Sequence, residues 1–176
     1  KGWDKMQLGT IESIWRYPVK GMRGEEIPYT YTAFTGLMGD RVYGVVAADG
    51  DPGHPWHTGR NQEEFLLYKP SYASSAQLLL PGNLDATYSE WAPGIDPLYP
   101  DADAFKVSVK TPEGVTYDDI ESPAFIADLE KLTGRSLRVH VTQRGIFDAR
   151  PVSLFSLSAA AKLGEELGME IDKRRL

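Results

Sequence analysis

Apolar and polar positions alternate in several short runs of this chain. Over residues 27–33, Ile27, Tyr29, Tyr31 and Ala33 share one parity and Pro28, Thr30 and Thr32 the other, the period of a half-buried strand. Phe105, Val107 and Val109 alternate with Lys106, Ser108 and Lys110, and Leu137, Val139 and Val141 repeat the pattern. The stretch Thr111-Pro112-Glu113-Gly114 supplies turn chemistry, so residues 105–118 are expected to form a hairpin. Further strands are expected over residues 9–15, 41–48 and 76–80.

Two stretches carry helical spacing instead. The first has Ser122 as N-cap, Pro123 at the first helical position and Gly134 after the last turn, with an apolar stripe of Phe125, Ile126, Leu129 and Leu132. The second runs over residues 158–167, with Ala160, Leu163 and Leu167 facing inward and Gly168 as the stop. Both are expected to pack against sheet. Between residues 88 and 104, Pro93, Gly94, Pro97 and Pro100 interrupt Trp91, Leu98 and Tyr99, which reads as a surface loop pinned to the core by its aromatics. The pattern as a whole predicts a mainly β (α+β) chain.

The length of 176 residues suits one continuous core with lobes. Hydrophobic and charged fractions of 41% and 25% are those of an ordinary globular protein. The net charge of −6 argues against non-specific nucleic-acid binding, so any anion site has to be local. Cysteine is absent, which removes disulfides, thiolate ligands and cysteine nucleophiles from these residues. No apolar run approaches the ~18 to 20 residues that span a bilayer, and the polar start lacks a signal-peptide core, so no membrane partner is expected and the cytoplasm is the default location. Residues 1–8 are assigned to a tag remnant or a disordered start, with Met6 as a candidate natural start. Lys173-Arg174-Arg175 reads as a solvated tail.

Glycine-rich phosphate loops and a Gly-x-Ser-x-Gly elbow are missing. His54-Pro55-Trp56-His57 places two imidazoles three apart, but Pro55 and Gly53 point to a loop, and His140 alone does not complete a metal site, so no metal ligand is assigned. Asp101, Asp103, Asp118 and Asp119 lie in turn-like sequence, where Asp bonds local backbone. What remains is a set of cations. Lys20 follows Tyr17-Pro18-Val19, where Pro18 interrupts a strand and Gly21 lets the chain turn. Arg41 follows Gly39-Asp40 at a strand entry, and Arg60 follows Thr58-Gly59. Singly, each reads as a surface charge or as the ion-pair partner of a carboxylate such as Asp40. Together they suit phosphate or a carboxylated ring, for which arginine supplies forked donors. The start of the second helix, after Ser156-Leu157-Ser158, would add backbone N–H groups to an anion site, although Ser156 reads most simply as an N-cap.

The order of these pieces resembles the MOSC family, named for the C-terminal domain of molybdenum cofactor sulfurase, together with its N-terminal β-barrel extension. The resemblance rests on Tyr17-Pro18-Val19-Lys20, Gly36-Leu37 with Asp40-Arg41, an Asp-Gly turn, Thr58-Gly59-Arg60, and Pro151-Val152-Ser153-Leu154-Phe155-Ser156 before a helix. It implies a β-barrel fold, with residues 9–148 as the N-terminal barrel-like region and residues 149–176 as the start of the MOSC domain. It also implies molybdenum cofactor (molybdopterin) bound through its pterin phosphate by Lys20 and Arg41, with Arg60 and Ser156 near the same pocket. Molybdenum ion and pyridoxal phosphate binding belong to the same implication. So do reduction of N-hydroxylated compounds or sulfur handling, and an electron-donor protein as partner. Four departures accompany it. The family's metal-holding cysteine lies downstream and this sequence has none, the Arg-Pro-Asn-like segment that usually follows is also missing, Gly21 stands where many relatives have Ser, and Ala159 replaces another common hydroxyl. The expectation is therefore either a piece of a longer protein or a short member without molybdenum redox chemistry. The alternative to cofactor binding is a non-redox barrel that holds a different small anion or uses these cations structurally.

Overall fold

The computed structural model describes residues 9–33, 35–88, 95–147 and 149–172. Among these, β1 (Ile14–Arg16) pairs antiparallel with β2 (Glu25–Ile27), and β3 (Thr32–Ala33) with β4 (Gly36–Leu37). The long strand β5 (Tyr43–Asp51) lies between β6 (His54–His57) and β10 (Leu137–Val141), antiparallel to both. A further three-stranded sheet contains β7 (Lys69–Tyr72), β8 (Val107–Lys110) and β9 (Thr116–Tyr117), in that order. Three helices complete the set: α1 (Leu84–Thr87), α2 (Pro123–Thr133) and α3 (Leu157–Leu167). The architecture is mainly β, with helices added to small sheets.

The hairpin and the first helix form where the sequence pattern places them. Thr111 N–H donates to Val115 O (2.8 Å) and Gly114 N–H to Thr111 O (3.0 Å), closing the β8–β9 turn. In α2, Ser122 Oγ accepts from Phe125 N–H (3.4 Å), and Gly134 takes a left-handed φ of 66° to end the helix. The stripe then buries Phe125 and Leu129 completely. Glu130 of the same helix ties α2 to β10, its carboxylate accepting from Leu137 N–H (2.8 Å). The core joins these elements through an aromatic series, His57–Phe65, Phe65–Tyr68 and Tyr68–Phe125, with centroids 5.2, 5.9 and 6.2 Å apart. Around it lie Val19, Val45, Val107, Val109 and Ile120 with no exposed surface worth the name. Each such side chain contributes about 1.5 to 3 kcal/mol relative to leaving it in water.

Several sequence expectations change. Residues 27–33 are not one strand: β2 stops at Ile27, because Pro28 has no N–H to continue the ladder, and Tyr29 is half exposed. Residues 76–80 form a 3-10 turn (Ser75–Leu78) rather than a strand, and residues 9–13 lie outside β1. In α3, Ala160 and Gly164 face inward while Leu163 and Leu167 are exposed. The cause is a close return of the chain: a Cβ on Gly164 would sit 2.7 Å from Met169 O, so a small-residue line, not the leucines, forms the contact. His54 and His57 lie on strand β6 and not in a loop. Pro55 is tolerated there because the β5–β6 pairing shifts register between Val46 and Asp51. The expectations for residues 1–8, for Lys173-Arg174-Arg175, and for Trp91, Pro93 and Gly94 fall outside the described residues. Among the described residues, no helix is long and apolar enough to cross a membrane.

Candidate functional site

Tyr17-Pro18-Val19-Lys20 runs beside the start of β5. Val19 bridges to Tyr43 in parallel, Tyr43 N–H donates to Pro18 O (3.0 Å), and Lys20 N–H donates to Tyr43 O (2.8 Å). Pro18 fits because its missing N–H is not needed at this position, while its carbonyl is used. With Val19 wholly buried, the next side chain is held at the edge of the core, and Lys20 is only 6% exposed. A buried ammonium has to be hydrogen bonded, and Lys20 Nζ donates to Ile146 O at 3.3 Å.

Gly21 then turns the chain with φ of +82°, and a Cβ there would lie 2.8 Å from Thr58 Cβ. Only glycine gives both the positive φ and the close approach. The result is that the Lys20 turn meets the Thr58-Gly59-Arg60 turn that follows β6. Lys20, Gly21, Arg41, His54, Thr58, Gly59, Arg60 and Leu66 line a recess of about 340 Å³. No carboxylate is among the described lining residues. Three of the four sequence-derived candidates, Lys20, Arg41 and Arg60, thus come together, although they are far apart in the chain.

The two arginines are held differently. Arg41 is the only described non-glycine residue with a positive φ, 49°. That left-handed conformation costs about 1 to 2 kcal/mol, and it is fixed from both sides. Arg41 N–H donates to Tyr17 O (2.6 Å), and Arg41 O accepts from Ile146 N–H (2.8 Å). The Arg41 guanidinium donates through Nη1 to Asp40 Oδ2 (2.5 Å) and lies 5.6 Å from the Tyr17 ring and 5.5 Å from the Phe147 ring. Asp40 is buried and also accepts from Tyr17 N–H (2.7 Å). Burial pushes the Asp40 carboxyl above its ordinary range, against the pull of Arg41, the Tyr17 N–H and Arg16 in the other direction. Arg60 is exposed, its backbone N–H donates to Thr58 Oγ1 (3.3 Å), and its guanidinium has no ion-pair partner among the described residues.

Ser156 is placed elsewhere. It caps α3, accepting from Ala159 N–H (3.4 Å) and sharing a hydrogen bond with Ser158 Oγ (2.9 Å), and it does not line the recess. The histidines also part company: His54 lines the recess, whereas His57 is buried against Phe65 and 3.5 Å from Arg135 Nη1. Burial and the Arg135 charge both push the His57 imidazole below its usual range. Among the described residues no group of three or more His, Cys, Asp or Glu is arranged to hold a metal ion.

Sequence reasoning missed Leu66, Ile146 and Phe147. Leu66 packs so close to Gly59 that a Cβ there would meet Leu66 Cγ at 2.7 Å, which gives the recess an apolar wall beside its cations. No periodicity in residues 142–147 could have signalled that this segment touches Lys20 and Arg41.

With these pieces in place, comparison with known families bears on residues 8–93, which match the MOSC N-terminal beta barrel domain. Over these residues, a little under half of the chain, the sequence is similar to the N-terminal barrel domain of the MOSC family. No curated protein matches the chain. The matched stretch contains β1 to β7 and all eight described residues that line the recess, while Ile146 and Phe147 lie beyond it.

Proposed function

We propose that the recess holds the phosphate of an anionic pterin, and that the chain is a MOSC-type domain for molybdenum cofactor within an oxidoreductase or sulfur-handling protein. The MOSC family is associated with molybdenum cofactor. The observation that carries the reading is the convergence of Lys20, Arg41 and Arg60 on one recess. A phosphate monoester needs fixed cations with directed N–H donors, and the arginines offer planar forks beside a lysine point charge. Leu66 and the flat peptide at Gly59 offer apolar surface to the rest of such a ligand.

The residues present fit the phosphate-bearing end of the cofactor. Its molybdenum would supply redox or sulfur chemistry, and the described residues offer no cluster to ligate it. The chain's own part is to bind and orient: Lys20 from the floor, Arg41 from its aromatic and carboxylate supports, and Arg60 from the rim. Residues 9–148 serve as the barrel-like region in this proposal and residues 149–176 as the beginning of the next unit. A second reading is a barrel that binds a phosphate-bearing ligand without redox chemistry, for which the cations of the recess suffice.

Titration of the purified chain with a phosphorylated pterin, followed by pterin fluorescence, tests the proposal. Saturable binding that Lys20→Ala weakens by about tenfold or more supports it. Equal affinity in the variant, or no saturable binding, would sink it. Elemental analysis of the purified protein separates the two readings, since retained molybdenum is expected from the first and not from the second.

A further inference from the structure

Both inner cations of the recess are tied to a segment outside the matched barrel stretch. Lys20 Nζ donates to Ile146 O (3.3 Å), Ile146 N–H donates to Arg41 O (2.8 Å), and the Phe147 ring lies 5.5 Å from the Arg41 guanidinium. Phe147 is itself wedged in place: a Cβ on Gly36 would lie 3.0 Å from Phe147 Cζ, and one on Gly145 would lie 2.4 Å from the same atom. Glycine at those two positions, each with positive φ, is what admits the ring. From within the matched stretch, the Tyr17 ring lies 5.6 Å from the same guanidinium.

We infer that Phe147 is a positioning residue for anion binding, acting through Arg41, and that the recess is complete only when residues 145–147 are packed against the barrel domain. A guanidinium in water samples many rotamers, and an anion has to restrict them. Two ring faces and one carboxylate already restrict Arg41, so less freedom is lost when phosphate arrives. Asp40 takes one edge of the fork through Nη1, and the rings hold its plane. Phe147 carries no charge, so its effect on anion affinity reports orientation of Arg41 and not a changed electrostatic field. This inference rests on the anion-site reading above.

The test uses inorganic phosphate with the full 176-residue chain, by isothermal titration. Phe147→Leu, which keeps apolar bulk and removes the ring face, is expected to weaken phosphate binding about fivefold, and Phe147→Tyr to keep the wild-type affinity. A simple packing role would not distinguish a retained ring from a branched aliphatic chain at equal melting temperature. If Phe147→Leu does not fold, Tyr17→Leu removes the other ring face and is expected to weaken binding likewise. Arg41 side-chain resonances in the wild-type chain provide an independent readout, with upfield ring-current shifts expected at Nε–H. Wild-type affinity in both leucine variants, or equal losses in Phe147→Leu and Phe147→Tyr, would overturn the inference while leaving the anion site standing. Failure of the wild-type chain to bind phosphate would overturn both.

Discussion

Arg16 and Arg41 belong to the same small region, yet they occupy opposite kinds of environment. Arg16 has no exposed surface. Its Nε and Nη2 donate to Glu25 Oε1 (2.9 and 2.6 Å), Nη1 to Leu78 O (2.6 Å) and Met38 O (3.2 Å), and Nη2 also to Ser75 Oγ (2.8 Å). The Tyr72 ring covers it at 5.0 Å. Every direction of the fork ends on a fixed acceptor, so this arginine joins β1, β2, the 3-10 turn and the chain around Met38. Arg41 keeps about a third of its side chain exposed, with one ion pair and two ring faces, at the edge of a recess. A cation's role is set by how many of its donors the protein itself satisfies. A saturated arginine is structural, and a partly satisfied one that is held in place is a binding group.

The largest effect is expected at Arg16. Arg16→Leu strands the Glu25 carboxylate and two buried carbonyls, so a stability loss of about 3 to 5 kcal/mol is expected in urea unfolding. A loss under about 1 kcal/mol would show that the saturated arginine is not the structural hub. Lys20→Met should do the reverse: phosphate affinity falls about tenfold or more, while stability changes by no more than about 1 kcal/mol. A variant that unfolds readily yet still binds phosphate would place Lys20 with Arg16.

A pH series then separates the two regions from a third group. His57 has its pKa lowered by burial and by Arg135. For a base with a depressed folded value, the unfolded chain takes up the proton first. Stability is therefore full above about 6.5 and falls as pH drops through that value toward the lower folded one. His57→Phe should flatten that decline in thermal melts without altering phosphate affinity at pH 8. An unchanged slope would point to another titrating group. Last and smallest, Arg60→Ala should weaken phosphate binding a few-fold and change stability by less than about 0.5 kcal/mol, since Arg60 stands exposed at the rim.

Much of this was readable from local chemistry. The Ser122, Pro123 and Gly134 punctuation located α2, and Thr111 to Gly114 located the β8–β9 hairpin, because caps and turns are decided by a few neighbouring residues. Lys20, Arg41 and Arg60 were legible as a set because each sits at a break in a strand pattern, where Pro18, Gly39 or Gly59 interrupts alternation. Arg16 was not legible: its acceptors come from Glu25, Met38, Ser75 and Leu78, and nothing in the neighbouring residues encodes that convergence. Phe147 escaped for the same reason, since its contact with Arg41 joins two segments far apart in the chain. Leu163 and Leu167 misled because helical periodicity marks an apolar face without saying which small residues permit close approach.

The most direct test of the anion recess is a phosphate titration of the isotopically labelled chain followed by backbone amide resonances. Saturable shifts are expected at Lys20, Gly21, Arg41, Gly59 and Arg60, with Arg16 and Ser75 unmoved. Shifts that do not saturate, or that appear around Arg16 and not around Lys20, would contradict the assignment of the recess as the binding site.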